Sequence, residues 1–268
     1  MNVQRLSKLE LGPGTFEGDF VVGFTCEKEP CKPTPHIQNG EMKGKPELLV
    51  NEPLHKLYRI KAELSADIDL GAFPFDEHVL MIQIGDRDAL DVTLKPDTKA
   101  LSAKDEVSLP GWEVTGIAHH IVTEDLGGGL KEQAFSYEMT VRRPRVAAIA
   151  KNLLPALTMV LVLFISLVMK PKMAAPRLAA GTGSFVAVIM FHNTAAGQLP
   201  PLGFLTLLDK FMFSLYVLWI LHIAFSIGIL RADEAKNEEG ALKLYKVAFG
   251  VLPAVAAVSW ALVLLRVI

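Results

Sequence analysis

Residues 177–197, RLAAGTGSFVAVIMFHNTAAG, decide how this chain is read. The run has the length and apolarity of a bilayer span, for which about 20 helical residues suffice. One helical stripe of it is nonetheless small and polar. Ala179, Gly183, Val186, Met190, Asn193 and Gly197 recur at alternating steps of four and three, which puts them on one face of an α-helix. A lone helix gains nothing by turning Gly183 and Asn193 toward lipid. Either the stripe packs against other helices, since small residues let membrane helices approach closely, or several copies surround an axis and turn it toward a water-filled hole.

Outward from this run the chain falls into two parts, 1–145 and 146–268. Its 268 residues are 51% hydrophobic with a mean hydropathy of +0.33, too high for an ordinary soluble domain. Four apolar runs in the second part approach span length: Ile149–Met169, Arg177–Gly197, Leu205–Leu230 and Leu244–Val267. Pro155 inside the first is tolerable where neighbouring groups re-satisfy the freed carbonyl. The loop after the first run carries Lys170, Lys172 and Arg177 without acids, and Arg231–Lys243 mixes both signs. The positive-inside rule then sets both loops in the cytoplasm and the first part outside. Arg142, Arg143, Arg145 and Lys151 oppose that orientation and need a structural reason. No signal peptide is legible at Met1–Arg5, so export would rest on an upstream segment or on the first span itself.

The first part alternates strand-like segments with turn signals. Val3–Leu11 and Phe16–Cys26 flank Gly12-Pro13-Gly14 as a hairpin, and Glu27–Pro46 is expected to be loop. Leu48–Val50, Leu57–Leu64, Val79–Ile84, Leu90–Leu94, Trp112–Val122 and Ala134–Val141 are further strands, the last two separated by a loop holding Gly127, Gly128 and Gly129. Short strands at this spacing predict a β-sandwich. Cys26 and Cys31 either close a small disulfide loop in an oxidising compartment or stay free, and two ligands at that spacing argue little for zinc. A net charge of −2 and a pI near 6.4 give no reason to expect nucleic acid. No phosphate-binding Gly-rich loop, metal-ligand pair or nucleophile motif supports catalysis or a cofactor.

Residues 57–84, LYRIKAELSADIDLGAFPFDEHVLMIQI, contain Phe73-Pro74-Phe75-Asp76 preceded by Asp69-Leu70. Arg142-Arg143-Pro144 is followed by Asn152-Leu153-Leu154-Pro155, then Arg177-Leu178, then Leu199-Pro200-Pro201 with Asp209 beyond. Four motifs in this order, with four spans, resemble the pentameric ligand-gated ion channels of the Cys-loop receptor superfamily from about residue 57 to 230. The two signature half-cystines would fall at Ala66 and Leu80, so the likeness is to bacterial members lacking that disulfide. The resemblance implies a shortened extracellular β-sandwich, a four-helix transmembrane domain and a homopentamer in the cell (inner) membrane with its N-terminal domain periplasmic. It makes Ala179, Gly183, Val186, Met190 and Asn193 pore-lining. Val186 and Met190 would be the apolar rings, which can gate by dewetting. It also assigns coupling between domains to Phe73, Pro74, Phe75, Asp76, Arg143, Pro200 and Pro201, with Asp76 and Arg143 as candidate ion pair. Lipid headgroups are the alternative partner for the basic cluster.

Arg87, between Asp86 and Asp88, stands where that family keeps a cage tryptophan, and Gly127–Gly129 supplies neither cysteines nor an aromatic. An ammonium ligand is therefore disfavoured. Asp86, Arg87 and Asp88 remain the ligand-site candidates for a carboxylate, an anion, a divalent metal, or nothing. The pore's inner mouth reads Ala174-Ala175-Pro176-Arg177 with no carboxylate, which leans selectivity toward anions or poor discrimination. His192 and His222 lie within spans, where an ionisable group is a functional candidate by default and a proton is a conceivable stimulus. Helix-to-helix hydrogen bonding is the other reading of His192. His119 and His120 alternate faces on a strand and cannot ligate one metal together. The expectation is a channel subunit whose partners are copies of itself, lipids, permeating ions and a small ligand or proton. The rival is a membrane-anchored sensor or assembly protein that keeps the fold and conducts nothing.

Overall fold

A computed structural model describes residues 1–87, 93–96, 107–127 and 130–264. The chain divides into two compact units, Met1–Asp69 with Glu77–Pro144, and Leu70–Asp76 with Arg145–Ile268. The seven residues around Phe73-Pro74-Phe75-Asp76 therefore group with the helices, although they fall between strands in sequence.

The first unit holds two antiparallel sheets. Strands β1 (Asn2–Glu10), β2 (Thr15–Thr25), β4 (Gly40–Met42), β5 (Glu47–Asn51) and β6 (His55–Ser65) form one sheet in the order β1-β2-β6-β4, with β5 also on β6. Strands β3 (Pro35–Ile37), β7 (Glu77–Asp86), β8 (Glu113–Gly127) and β9 (Leu130–Arg142) form the other in the order β3-β7-β9-β8. Alternation along β2 and β7 drives both sheets onto one core. Phe16, Phe20, Ile60 and Leu64 come from the first sheet, and Leu80, Ile82, Met139 and Val141 from the second. Each such fully buried side chain contributes about 1.5–3 kcal/mol. The hairpin over Gly12–Gly14 forms as expected, with Leu6 opposite Gly18 and Glu10 opposite Thr15. Glu27–Pro46 departs from the loop expectation, because β3 and β4 lie inside it. Glycine makes β4 possible: a Cβ on Gly40 would lie 2.2 Å from the Glu63 carbonyl oxygen of the neighbouring strand. Cys26 and Cys31 are disulfide-bonded and close a loop before β3. The expected strand Leu90–Leu94 falls mostly outside the described residues, as do Gly128 and Gly129.

The second unit has four helices long and apolar enough to cross a membrane: Arg145–Leu167, Pro171–Ala196, Leu207–Glu234 and Glu238–Ala261, the last continuing to Leu264. Pro155 has no N–H to return to the preceding turn. The helix meets this with a π-turn over Ile149–Leu153 just before it. Buried Asn152 donates to the Ala148 carbonyl at 3.1 Å inside that turn. Trp219, Leu215, Met212 and Leu218 of the third helix form the middle of the core, against Val160 and Leu163 of the first and Val188 of the second.

Candidate functional site

The second helix carries two stripes of opposite fate. Ala179, Gly183, Val186, Met190 and Asn193 are all exposed in the chain by itself, Val186 at 56% and Met190 at 65%. Ala174, Arg177, Gly181, Val188, His192 and Ala195 are all buried. The small-and-polar stripe is therefore not what packs this helix onto its own bundle. Thr182, Ile189 and Thr194 widen the exposed face.

At the end near residue 177 the buried stripe begins with a cation. Arg177 is 1% exposed, and its guanidinium donates to the carbonyls of Ser166 at 3.2 Å, Met169, and Lys170 at 3.2 Å. Those carbonyls lie in the last turn of the first helix and just past its end at Leu167, where the negative end of the helix dipole favours a cation. The same group sits 5.2 Å from the Tyr245 ring of the fourth helix. Arg177 is thus a cap joining three helices on the face opposite the exposed stripe. Its charge is therefore not on the exposed stripe, while the absence of a carboxylate there stands.

One turn on, Gly181 meets His222 of the third helix, and Trp219 Nε1 donates to Ser184 Oγ at 3.0 Å. His222 is 0% exposed and its Nε2 lies 2.8 Å from Ser166 Oγ. That hydroxyl donates to the Leu163 carbonyl at 2.6 Å, so Nε2 is the donor in the pair.

At the other end, Thr206 and Asp209 form a capping box for the third helix. Asp209 Oδ2 accepts from the Thr206 N–H and hydroxyl, both at 2.8 Å, and the Asp209 N–H donates back to Thr206 Oγ1 at 3.2 Å. His192 Nε2 lies 2.9 Å from Asp209 Oδ1 and its Nδ1 lies 2.7 Å from the Tyr216 hydroxyl. His192 is bonded helix to helix, as one of its two readings expected. The next two amides of the helix start are also satisfied: Leu207 N–H donates to the Gly71 carbonyl at 2.8 Å and Leu208 N–H to the Phe73 carbonyl at 3.1 Å.

The remaining expected site residues fall in both units. Phe73, Pro74 and Asp76 are buried and Phe75 is half-buried, with Phe73 packed in the helical core. Pro200 is half-buried, and Pro201 lies on an exposed linker with Gly203, Phe204 and Leu205. In the first unit, the Arg143 guanidinium sits 4.6 Å from the Trp112 ring, and Trp112 packs edge-on to buried His78. Asp86 Oδ1 accepts the Thr34 N–H at 2.9 Å and the Arg87 N–H donates to the Thr34 carbonyl at 3.0 Å, so both brace the chain just past the disulfide loop. Asp88 lies outside the described residues. An open cleft of about 490 Å³ lies on that loop, lined by Lys32, Pro33, Thr34, Asn51, Lys56 and Tyr58 among others. His119 stacks on Phe135, and His120 lies 3.6 Å from Glu138. Among the described residues no cluster of His, Cys, Asp or Glu could hold a metal ion.

Sequence reasoning missed Thr206, Tyr216, Ser166, Trp219 and Tyr245. The T-x-x-D pattern at 206–209 was a legible helix-start signal; the others depend on which helix faces which.

No protein-family model matches the chain, and no curated protein matches it.

Proposed function

We propose that the chain is a subunit of a pentameric, membrane-embedded ion channel of the Cys-loop receptor kind, with the exposed stripe of the second helix around the pore. The observation that carries this is the outward face of Ala179, Gly183, Val186, Met190 and Asn193. A helix in lipid has no use for an exposed Gly183 and Asn193, whereas several copies around an axis give those groups water and each other. One such helix encloses nothing, so the reading requires an oligomer; five is the number the resemblance implies. The β-rich first unit would stand on the periplasmic side of an inner membrane. The disulfide between Cys26 and Cys31 fits an oxidising compartment, and Lys170 and Lys172 fit a cytoplasmic loop. Gating would be a population shift driven by whatever small ligand or proton binds the two states unequally.

Planar-bilayer conductance of the purified protein tests this, with wild type beside Val186→Ser in a salt gradient. Unitary currents altered by the substitution are expected, and the reversal potential reports the selectivity. A pentameric mass with silence from both proteins would replace the channel by a non-conducting sensor of the same architecture.

A further inference from the structure

The start of the third helix is held from two sides. Its first amides need partners, as at any helix N-terminus. Two of them, on Leu207 and Leu208, take carbonyls of the Leu70–Asp76 segment, those of Gly71 and Phe73. A third, on Asp209, takes Thr206 Oγ1. The Asp209 carboxylate is then fixed through Oδ2 by the Thr206 N–H and hydroxyl, and its other oxygen faces His192 Nε2 at 2.9 Å. A carboxylate only accepts, so Nε2 carries the proton; in the neutral ring Nδ1 then accepts from the Tyr216 hydroxyl at 2.7 Å. Asp209 and Tyr216 are seven residues apart on one face of the third helix, about 10 Å along its axis. The two side chains converge on His192 from either end of that interval and engage both ring nitrogens, so sliding or rolling the second helix along the third breaks a bond. Its neighbours on the outward face are Ile189 and Asn193.

We infer that His192 is a positioning residue that locks the second helix to the capped start of the third, so that displacement of the Leu70–Asp76 segment reaches the second helix through Thr206, Asp209 and His192 rather than through the linker from Pro200 to Leu205. The lock itself needs no pore. Its role in opening one rests on the channel reading.

The test is amide hydrogen exchange over residues 189–197 in lipid nanodiscs, for wild type, Thr206→Val, His192→Phe and the double variant. Each single substitution is expected to speed exchange there about fivefold, the loss of roughly one net hydrogen bond, and the double variant to be no faster than either single. Asp209→Asn, which keeps a cap acceptor, checks that Thr206→Val acts through the carboxylate and is expected to give an intermediate effect. Pro201→Gly, which loosens the linker alone, is expected to leave 189–197 unchanged. The inference is overturned if Thr206→Val disturbs only the third helix, if the two single effects add, or if Pro201→Gly speeds exchange as much as His192→Phe. Bilayer currents recorded on the same four proteins separate the two ideas: silence with non-additive exchange removes the channel and keeps the lock.

Discussion

Two glycines two positions apart on the second helix are expected to answer an added methyl with opposite signs. A Cβ on Gly181 would lie 2.6 Å from both Cε1 and Nδ1 of His222, whereas one on Gly183 has nothing within 4 Å. His222 is 0% exposed and tied through Nε2 to Ser166 Oγ, so its ring has no solvent to retreat into. Relieving the clash moves the ring or the helix. Overpacking of this kind costs about 1–3 kcal/mol, and breaking the buried His222–Ser166 bond adds about 1–3 kcal/mol. Against this, alanine over glycine in a helix returns about 1 kcal/mol. Gly181→Ala should therefore lose about 3 kcal/mol net, while Gly183→Ala should gain roughly 0.5–1 kcal/mol. Detergent-solubilised protein titrated with a denaturing surfactant, with helicity as signal, measures both. In a His222→Ala background the methyl at 181 has room, and Gly181→Ala should become neutral or slightly stabilising. Equal stability of Gly181→Ala and Gly183→Ala would refute the register that sets the second helix on the third.

Arg177→Met should destabilise the helical unit by roughly 2 kcal/mol, because it removes a charged donor bonded to the Ser166, Met169 and Lys170 carbonyls, of which Ser166 and Lys170 keep backbone partners; the same surfactant titration reads it, and an unchanged midpoint would show that the guanidinium contributes nothing. In the β-rich unit, the hydrogen bonds from Arg59, at 2.9 and 2.8 Å, hold the Asp19 carboxyl below its ordinary value. A depressed carboxyl stabilises the fold above the unfolded-state value, near pH 4, and loses that contribution as pH falls through the native one. Asp19→Asn should therefore flatten the acid limb of the unfolding profile and leave the alkaline limb unchanged, a modest effect because the pair is partly exposed. Cys31→Ser opens a six-residue loop and should lower thermal stability by roughly 2 kcal/mol on loop-entropy grounds, with reduction of the wild type giving the same shift.

The strands were legible where one face is buried. Along β2 and β6 the inward positions are apolar and the outward ones largely polar, so period two sufficed. β3 and β4 were not legible, because three residues show no period and their partners are distant in sequence: β3 pairs with β7, and β4 lies against β6 through Gly40. The four helices were visible from apolar length alone, but their starts were displaced. Charged and small residues such as Arg145, Pro171–Ala174 and Glu238 continue the helices beyond the apolar runs.

For the second helix the harder matter is which stripe faces inward. In water the apolar face of a helix marks the core; between lipid and protein that cue vanishes, since both sides accept apolar groups. Small and polar residues are then the only signal, and here both stripes carry them: Gly183 and Asn193 on one, Gly181, Arg177 and His192 on the other. What separates the stripes is whether a polar group finds its partner within the chain. Arg177 finds the end of the first helix, His192 the cap of the third, and Gly181 the His222 ring. Asn193 and Gly183 face outward. A polar stripe already satisfied at home serves folding, and one left facing out has to be satisfied by another copy or by water. That asymmetry, invisible to periodicity, gives the inward stripe the work of holding the helix in place and leaves the outward stripe to the role proposed for it above.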